Sequence, residues 1–520
     1  MTDISRRDVL GGTGRLAIAG TVAAAAPGLG WLAPGPARAA AQPAPAGSRP
    51  GWRRPRPDWD LLGRRLRGRL LRPGDRGFSA ASVPYNRRYA AIVPGGVALC
   101  ADAADVATAV LWARRYEVPF AARSGGHSYG GYSASRGLVI SLAPLNAIRV
   151  DREALTVTAG AGARLREVYA GLAGSGVAVP GGRCPTVGIS GLLLGGGFGF
   201  SSRQLGLTCD QLLETEVVTA DGQVVRATRA SHPGLLWACQ GGGGGNFGIN
   251  TRYTLRATPV GRVSVYRLEW PWARAAAALA AVQALMAHAP AALSCRVGLD
   301  VHGGGTVTGG TPERGVSALG QYFGPSRDLA ELLAPVLAAA WPSAQLVEDR
   351  SYLAAQAFLA RNVPSGGFAS RSRFLRRALP AAGIDTAIRQ VERWPGSSNP
   401  GGGGMTLFAW GGRISEVRPA ATAFVHRDAA FLMDTETSWT DRDGPRVVSA
   451  NLDWLDGIYG ALRPFGTAEA YQNFIDPALA DWAHAYYGAN LPRLKQLKRD
   501  WDPDRVFRFP QAIPDAAARV

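Results

Sequence analysis

The sequence predicts an α+β fold, in which short strands and helices follow one another without a repeated βαβ unit. Two observations support this class. Up to about residue 257, segments with strand-like and helix-like apolar patterns are short and are separated by glycine-rich turns. After Pro259, apolar strands alternate with helices rich in alanine and leucine, which is typical of a sheet covered by helices. At 520 residues, the chain is long enough for more than one core.

The first folded region is predicted to begin at about Phe78. We expect strands over 89–94, 119–123, 137–142, 155–159, 213–219 and 224–227, and helices over 102–117 and 164–173. The last two strands flank Asp221-Gly222, a pair that favours a two-residue hairpin turn. The region therefore mixes short strands with helices that have one apolar side.

The second region, after Pro259, is predicted to form a sheet with covering helices. We expect strands over 263–270, 293–301, 317–322, 404–410, 413–417 and 431–439, and helices over 273–288 and 327–340. Near the C-terminus, helices are expected over 481–487 and 491–501, followed by a strand-like tail over 506–513. Asp502-Pro503 is the predicted stop of the last helix.

The N-terminal residues 1–39 are interpreted as an export signal of the twin-arginine type. Ser5-Arg6-Arg7-Asp8-Val9-Leu10 precedes a weakly apolar run, and Ala37-Arg38-Ala39 offers a cleavage site. Pro27 interrupts the run, so no stable membrane anchor is expected. Residues 40–77 are interpreted as a leader that is partly unstructured. These features predict a periplasmic or extracellular protein.

The charge and cysteine patterns argue against several classes of protein. The formal net charge is +18, but the basic residues are spread along the chain without a nucleic-acid-binding motif. We therefore expect solvated basic faces and no nucleic-acid partner. No pair of the five cysteines has C-x-x-C spacing, so no metal site is predicted. Disulfide formation and oligomeric state stay open at this stage.

Three glycine turns, at 125–131, 195–199 and 241–248, are the main functional signal. Glycine lets backbone N–H groups approach the oxygens of a pyrophosphate, so three such turns favour a bound dinucleotide. Each turn alone is equally typical of an ordinary loop. There is no P-loop, no G-x-S-x-G and no H-E-x-x-H motif.

Four segments, in order along the chain, resemble the PCMH-type FAD-binding domain of the vanillyl-alcohol oxidase superfamily. They are Arg-Ser-Gly-Gly-His-Ser at 123–128, Gly-Arg-Cys-Pro-Thr-Val-Gly at 182–188, Gly-Gly-Gly-Phe-Gly at 195–199 and Gly-Asn-Phe-Gly-Ile at 245–249. The tail, with Tyr471-x-Asn473 and Tyr487-Gly488-x-Asn490, resembles berberine bridge enzyme-like oxidases. The resemblance implies an FAD-binding domain in two parts, 78–257 and 465–520, around an inserted substrate domain at 258–464 that is built on an antiparallel sheet with covering helices.

The resemblance also implies how FAD is held. In this family a histidine and a cysteine bond covalently to the flavin, and these positions fall on His127 and Cys184. The other residues that the resemblance places at the cofactor are Arg123, Ser124, Gly125, Gly126, Ser128, Gly182, Val187, Gly188, Gly196, Gly197, Gly199, Gly245, Asn246, Gly248, Ile249 and Asn473.

The implied reaction is the oxidation of an alcohol, either a sugar or a secondary-metabolite hydroxyl, to a carbonyl or lactone. Oxygen would be reduced to hydrogen peroxide, since a small β-branched residue at Val187 resembles the oxygen-reactive members. Tyr471 is the expected base, with Asp434 and Glu436 as further catalytic candidates. A flavin dehydrogenase with another electron acceptor, or an oxidase of amine or alkaloid-type substrates, is the alternative. The expected partners are a small-molecule substrate and oxygen.

Overall fold

A computed structural model describes residues 56–361 and 365–514. The predicted export signal and the leader up to residue 55 lie outside the described residues. The helices are α1 (Trp59–Arg65), α2 (Phe78–Ser82), α3 (Ala103–Arg115), α4 (Leu165–Gly171), α5 (Ile189–Leu194), α6 (Ser202–Leu205), α7 (Pro233–Cys239), α8 (Ala275–His288), α9 (Ser326–Ala339), α10 (Tyr352–Phe358), α11 (Ala381–Glu392), α12 (Arg413–Glu416), α13 (Pro445–Ala461), α14 (Trp482–Tyr487) and α15 (Leu491–Trp501).

The strands belong to four sheets and are, in chain order, β1 (Arg69–Leu71), β2 (Gly96–Leu99), β3 (Phe120–Arg123), β4 (Leu138–Ser141), β5 (Ile148–Asp151), β6 (Thr156–Gly160), β7 (Val177–Ala178), β8 (Leu212–Val218), β9 (Val224–Thr228), β10 (Ile249–Arg256), β11 (Thr258–Pro259), β12 (Arg262–Pro271), β13 (Arg296–Gly305), β14 (Gly309–Tyr322), β15 (Ala344–Ser351), β16 (Gly367–Leu375), β17 (Gly403–Ala409) and β18 (Phe431–Trp439). The α+β class is confirmed.

The N-terminal region is built on two sheets that share one apolar core. One sheet has the strand order β1-β2-β4-β3, with parallel pairs at β2–β4 and β3–β4, and the other is antiparallel in the order β5-β6-β10-β8-β9. Buried Leu491 and Leu494 of α15 belong to the same core. The C-terminal segment therefore packs into the N-terminal region, as apolar burial requires of an amphipathic helix.

A buried lysine fixes this packing. Lys498 Nζ donates to the backbone oxygens of Asn246 and Phe507, both at 2.7 Å, and to Asp502 Oδ2 at 2.6 Å. A buried ammonium group is tolerated only when it is paired and hydrogen-bonded. The C-terminal helix is thus tied to the glycine turn at 241–248.

The middle region is a seven-stranded antiparallel sheet with the order β15-β12-β14-β13-β17-β18-β16. Alternate residues such as Val297, Leu299 and Leu407 pack into a core with helices α8, α9, α11 and α13. The predicted antiparallel sheet with covering helices is therefore confirmed. The opposite face, the polar face, has Thr406 of β17 in register with Asp434 of β18 near its centre, with the apolar Phe408 and Leu432 beside them.

Several predicted elements differ from the structure. Residues 87–89 form a short 3-10 turn capped by the Asn86 side chain, and no strand covers 89–94. Residues 413–416 form a helix and not a strand. The tail over 506–513 contains no strand, because the Asp502 carboxylate accepts the N–H groups of Val506 and Phe507 and holds the chain in a turn.

Folded structure also begins earlier than residue 78. Helix α1 and strand β1 lie within the segment interpreted as leader, and Arg69–Leu71 pairs with β2. Leu62 is fully buried in the N-terminal core. The hairpin between β8 and β9 is wider than a two-residue turn, since Val218 pairs with Val224. The sequence patterns in 344–461 also left β15, β16, α10, α11 and α13 unpredicted.

Three further observations concern the described residues only. No helix within 56–361 and 365–514 has the length and apolar character to cross a bilayer. In the same ranges, no group of three or more histidine, cysteine or acidic side chains is arranged to hold a metal ion. The five cysteines, all of which lie in these ranges, form no disulfide with one another.

Candidate active site

The loops that carry His127 and Cys184 pack directly against each other. A Cβ atom on Gly125 would lie 2.8 Å from the Thr186 oxygen and would overlap the backbone nitrogen of Gly188. A Cβ atom on Gly188 would in turn overlap the Ser124 hydroxyl. Because both positions exclude any side chain, the two loops approach at backbone distance.

His127 is held within this pair of loops as a neutral imidazole. Its Nε2 atom is 2.9 Å from Thr186 Oγ1, and its ring stacks on Tyr85 at 3.7 Å between centroids. Burial, with a contribution from Arg164, lowers the pKa of His127 to about 3. A neutral imidazole keeps a nitrogen lone pair, which is what a bond to an electrophilic carbon requires. Cys184 is half-buried and interacts electrostatically with the hydroxyl of Tyr85.

The loop around His127 presents a run of unpaired backbone donors. Within the described ranges, the N–H groups of residues 125–129 donate to no protein acceptor. Gly126 has a φ of +76°, a conformation that glycine adopts readily. Successive free N–H groups form an anion-binding concavity. This loop therefore fits the pyrophosphate of a dinucleotide.

The glycine turn at 195–199 differs from the loop around His127, because its backbone N–H groups are paired within the protein. The Gly197 N–H donates to Tyr471, the Gly196 N–H to the Leu193 oxygen and the Gly199 N–H to Ser202 Oγ. A Cβ atom on Gly197 would lie 2.5 Å from Thr208 Oγ1. These N–H groups are already paired, so the glycines serve close packing, and a cradle formed by their N–H groups is not supported.

The third turn, at 241–248, is organised from within by Asn246. Its Nδ2 atom donates to the Gly242 oxygen at 3.2 Å, and its Oδ1 atom accepts from the N–H of Ile513 at 3.0 Å. Gly248 packs against Val217. A Cβ atom on Gly245, which has a φ of +73°, would lie 3.8 Å from the Phe509 ring, at ordinary contact distance.

The remaining predicted cofactor residues form hydrogen bonds or packing contacts within the protein, and these contacts hold the loops in place. Arg123 donates to the backbone oxygens of Ala81, Ser82 and Ser133, and Ser124 Oγ donates to the Ala161 oxygen at 2.7 Å. The others lie as follows: Ser128 Oγ accepts from the Tyr132 N–H, the Gly182 oxygen accepts from the Tyr169 hydroxyl, Val187 is half-buried against the N-terminal core, Ile249 is buried at the start of β10, and Asn473 Nδ2 donates to the Leu192 oxygen.

Asp434 and Glu436 lie on the polar face of the seven-stranded sheet, two residues apart on β18. Glu436 forms a two-pronged ion pair with Arg361, one arm of which measures 3.0 Å between Nη1 and Oε2. Burial alone would raise the pKa of Glu436, but the Arg361 guanidinium more than offsets this and holds the pKa below its ordinary value. Glu436 is therefore a fixed anion.

Asp434 has the opposite environment. It is buried, and its carboxyl accepts a hydrogen bond from the Ser370 hydroxyl. Burial, followed by the neighbouring Glu436 charge, raises the pKa of Asp434. Two adjacent carboxyls whose pKa values are pushed apart are a recurrent feature of sites that move protons.

Tyr129 is a member of the site that sequence reasoning missed. Burial, together with Asp434 and Glu436, raises the pKa of Tyr129, and its hydroxyl also senses the charges of Arg361 and Cys184. Its ring contacts Phe368 and Phe474 edge-on or tilted, at 4.9 and 5.3 Å. Its position two residues after His127 was the only sequence signal. Tyr129 links the His127 loop to the carboxyls of the sheet.

Tyr471 occupies a separate part of the site. Its hydroxyl oxygen accepts hydrogen bonds from the Gly197 N–H and from Asn473 Nδ2, both at 3.0 Å. Burial raises the pKa of Tyr471, although both donors act to lower it. Its own N–H donates to Ser372 Oγ at 2.9 Å, and Ser372 pairs in register with Asp434. Tyr471 is thus linked to Asp434 through the backbone of the sheet, and its role as base stays a prediction.

A free N–H run, a neutral histidine and a neighbouring thiol fit a flavin dinucleotide, and this defines the chain as a flavin-dependent oxidoreductase. Comparisons with known proteins agree. Residues 94–228 match a family model described as FAD binding domain, and residues 470–514 match one described as berberine and berberine like. The chain belongs to the berberine bridge enzyme-like FAD-linked oxidoreductases of the vanillyl-alcohol oxidase superfamily.

Individual relatives cover nearly the whole protein. An uncharacterized FAD-linked oxidoreductase of Bacillus subtilis, YgaK, is 33% identical over 464 residues, which is 86% of this chain and 97% of the relative. Xylooligosaccharide oxidase of Thermothelomyces thermophilus is 28% identical over 83% of this chain and 89% of its own. The solved structure of Physcomitrella patens BBE-like 1 matches with a TM-score of 0.78 and 30% identity, covering 88% of this chain and 98% of that one.

Proposed function

We propose that this protein is an exported oxidase that oxidises an alcohol to a carbonyl or lactone, using FAD bonded to His127 and Cys184. The observation that carries the proposal is the pair Asp434 and Glu436, one carboxyl with a raised pKa beside one fixed as an anion. Both interact electrostatically with Tyr129, which follows His127 on the FAD-binding loop. Bound FAD would accept a hydride from the substrate carbon and pass the electrons to oxygen.

Asp434 is the proposed acceptor of the substrate hydroxyl proton. A general base works best when its pKa lies near the operating pH, and burial moves Asp434 in that direction. The Ser370 hydroxyl fixes the carboxyl orientation. Glu436 is less suited to this role, because its ion pair with Arg361 holds it as a weaker base.

Tyr129 and Tyr471 are assigned different roles. The Tyr129 hydroxyl, close to both carboxyls, would orient the substrate alcohol toward Asp434. The Tyr471 hydroxyl is already an acceptor for two hydrogen bonds within the protein. Its geometry supports a role in holding the turn at 195–199, with Asn473 as its partner.

The proposed attachment of FAD at two points is supported by the packing of the loops that carry His127 and Cys184. The close packing at Gly125 and Gly188 keeps His127 and Cys184 on adjacent backbone segments. The lowered pKa keeps His127 neutral and therefore nucleophilic. Imidazole nitrogen and thiolate are the side-chain nucleophiles suited to an electrophilic flavin.

Oxygen as acceptor, and export, are supported by sequence features. Val187 is small and half-buried beside the Cys184 loop, which favours access of oxygen over exclusion. The twin-arginine pattern at 5–10 precedes a cleavage site at 37–39 and supports secretion of the folded protein. A dehydrogenase with another electron acceptor, or an oxidase of amine-type substrates, is the alternative.

Two measurements on the purified holoprotein test this function. Acid denaturation should leave the yellow colour with the polypeptide, with one bond remaining in each of the single variants His127→Ala and Cys184→Ala. Colour that separates from the wild-type chain would disprove the covalent attachment. A panel of sugars and alcohols added without oxygen should bleach the flavin, and readmitted oxygen should restore it with hydrogen peroxide in equal amount. Bleaching that only an artificial dye reverses would identify a dehydrogenase.

A further inference from the structure

One cation at the site has no counterion in contact with it. Arg183, directly before Cys184, is half-buried, and its guanidinium carbon lies 5.5 Å from the ring centre of Phe408 on β17. Its backbone oxygen accepts the N–H of Arg361 at 3.1 Å. Within the described ranges its side chain forms no hydrogen bond or ion pair with the protein.

The neighbouring arginines are already neutralised. Arg361 is paired with Glu436, and Arg296 Nη2 lies 2.8 Å from Asp300 Oδ1. Ser317 bridges the second pair, since it accepts from Arg296 and donates to Asp300. The carboxylates that the polar face holds as fixed anions are therefore already paired. Among the described residues, Arg183 is left as a guanidinium with no carboxylate in contact with it, although the charges of Asp434 and Glu436 act on it from a distance.

The electrostatic environment of Arg183 agrees with this geometry. Burial, followed by repulsion from Arg361 and Arg296, lowers the pKa of Arg183 to about 10, although Cys184 and Glu436 act to raise it, so the group stays cationic at neutral pH. A half-buried cation costs free energy unless an anion meets it. A ligand that supplies one negative charge would remove that cost on binding.

We propose that Arg183 anchors a carboxylate of the substrate, so that the preferred substrates are alcohols that also carry a carboxylate. This inference rests on the proposed function only for the turnover of the substrate, and not for its binding. A guanidinium binds a carboxylate through two parallel hydrogen bonds. In the reaction the carboxylate is unchanged: the hydroxyl proton passes to Asp434 and the hydride to FAD. One guanidinium that lacks a contacting partner pairs with one carboxylate, whereas a phosphate ester at neutral pH would bring additional negative charge close to Asp434 and Glu436.

Calorimetric titration of the holoprotein tests the proposal without turnover. The probes are matched pairs, D-glucuronate with D-glucuronamide and 4-(hydroxymethyl)benzoate with 4-(hydroxymethyl)benzamide, together with D-glucose 6-phosphate. At least one carboxylate should bind about tenfold or more tightly than its amide. Arg183→Gln should abolish that preference, and Arg183→Lys should keep part of it because the charge remains.

Arg267→Gln is the matched control. Arg267 is exposed on β12 of the same sheet, and its guanidinium also lies over an aromatic ring, that of Phe358, at 5.1 Å. This variant should keep the wild-type preference. The proposal is overturned if no carboxylate binds more tightly than its amide, if the phosphate ester binds most tightly, or if Arg183→Gln weakens acid and amide equally. Carboxylate-selective binding that never leads to flavin bleaching would instead refute the proposed oxidase and leave the role of Arg183 intact.

Discussion

The loops around His127 and Cys184 and the polar face of the seven-stranded sheet meet at one site but are built in opposite ways. The loops are held by backbone packing at glycines and offer the neutral His127 and a run of free N–H donors. The sheet face offers charged side chains whose pKa values are set by burial and ion pairing. The difference implies a division of labour, in which the loops hold the cofactor and the sheet controls the transfer of protons.

The strongest test of this division is Asp434→Asn. The variant should lose about 10²–10⁴-fold in kcat, because the substrate proton loses its acceptor, while FAD content stays at the wild-type level. Rapid-mixing measurements of flavin reduction would show whether the chemical step is slowed. Asp453→Asn, an exposed carboxyl on α13, is the matched control. Wild-type reduction rates in Asp434→Asn would remove Asp434 as the base.

The same variant should be more stable than the wild type at neutral pH. The pKa of Asp434 is raised in the folded state, so the folded protein binds more protons than the unfolded chain between the two pKa values. Stability therefore falls as pH rises from the unfolded pKa through the folded one. The amide of Asp434→Asn does not titrate and therefore avoids this loss of stability. The melting temperature of the variant should exceed that of the wild type at neutral pH but not at low pH.

The loops are tested by Gly125→Ala. The new methyl group would overlap the backbone of Gly188, so the two loops must separate. We expect FAD content to fall several-fold, measured as the ratio of flavin to protein absorbance, because the N–H run at 125–129 is disturbed. Gly191→Ala in α5 is the control, since no atom lies within 4 Å of its added Cβ. Full FAD loading in Gly125→Ala would contradict the role of the N–H run at 125–129 in binding FAD.

FAD binding could be predicted from the sequence of the loops for a physical reason, whereas the roles of His127 and Cys184 stay predictions. Each cofactor motif is contiguous, so His127 and Cys184 could be identified from the residues next to them. On the sheet, the pattern of 431–439 predicted the strand that carries Asp434 and Glu436. Neither pattern could show that Arg361 neutralises Glu436, because strand register and loop position set that contact.

The glycine turn at 195–199 shows the limit of motif reading. Glycine is required there as it is at Gly125, but the atoms that exclude a side chain belong to Thr208 and Phe424. A glycine in a sequence can indicate that a side chain is excluded at that position, but it does not indicate which atoms exclude the side chain. Tyr129 was missed for a similar reason, since its importance comes from carboxyls that lie far along the chain.

A smaller effect is expected from Arg361→Gln, which alters the charge balance of the sheet. In the wild-type protein, activity should fall at low pH because the proton acceptor becomes protonated. A nearby cation favours the ionised carboxyl, so removing Arg361 raises the pKa of both Asp434 and Glu436. The acidic limb of kcat/KM should therefore move to higher pH by about one unit. Arg267→Gln should leave it in place, and an unmoved or lowered limb in Arg361→Gln would contradict this electrostatic account.

The smallest catalytic effect is expected from Tyr471→Phe. Loss of the hydroxyl leaves the buried Gly197 N–H without its acceptor, at a cost of about 1–3 kcal/mol in the free energy of unfolding. Flavin reduction should slow only a few-fold, since the proposed base on the sheet is intact. Tyr116→Phe is the control, because its hydroxyl makes no hydrogen bond with the described residues. If Tyr471→Phe slows reduction as severely as Asp434→Asn, proton transfer is not confined to the sheet, and the C-terminal segment shares in it through Tyr471.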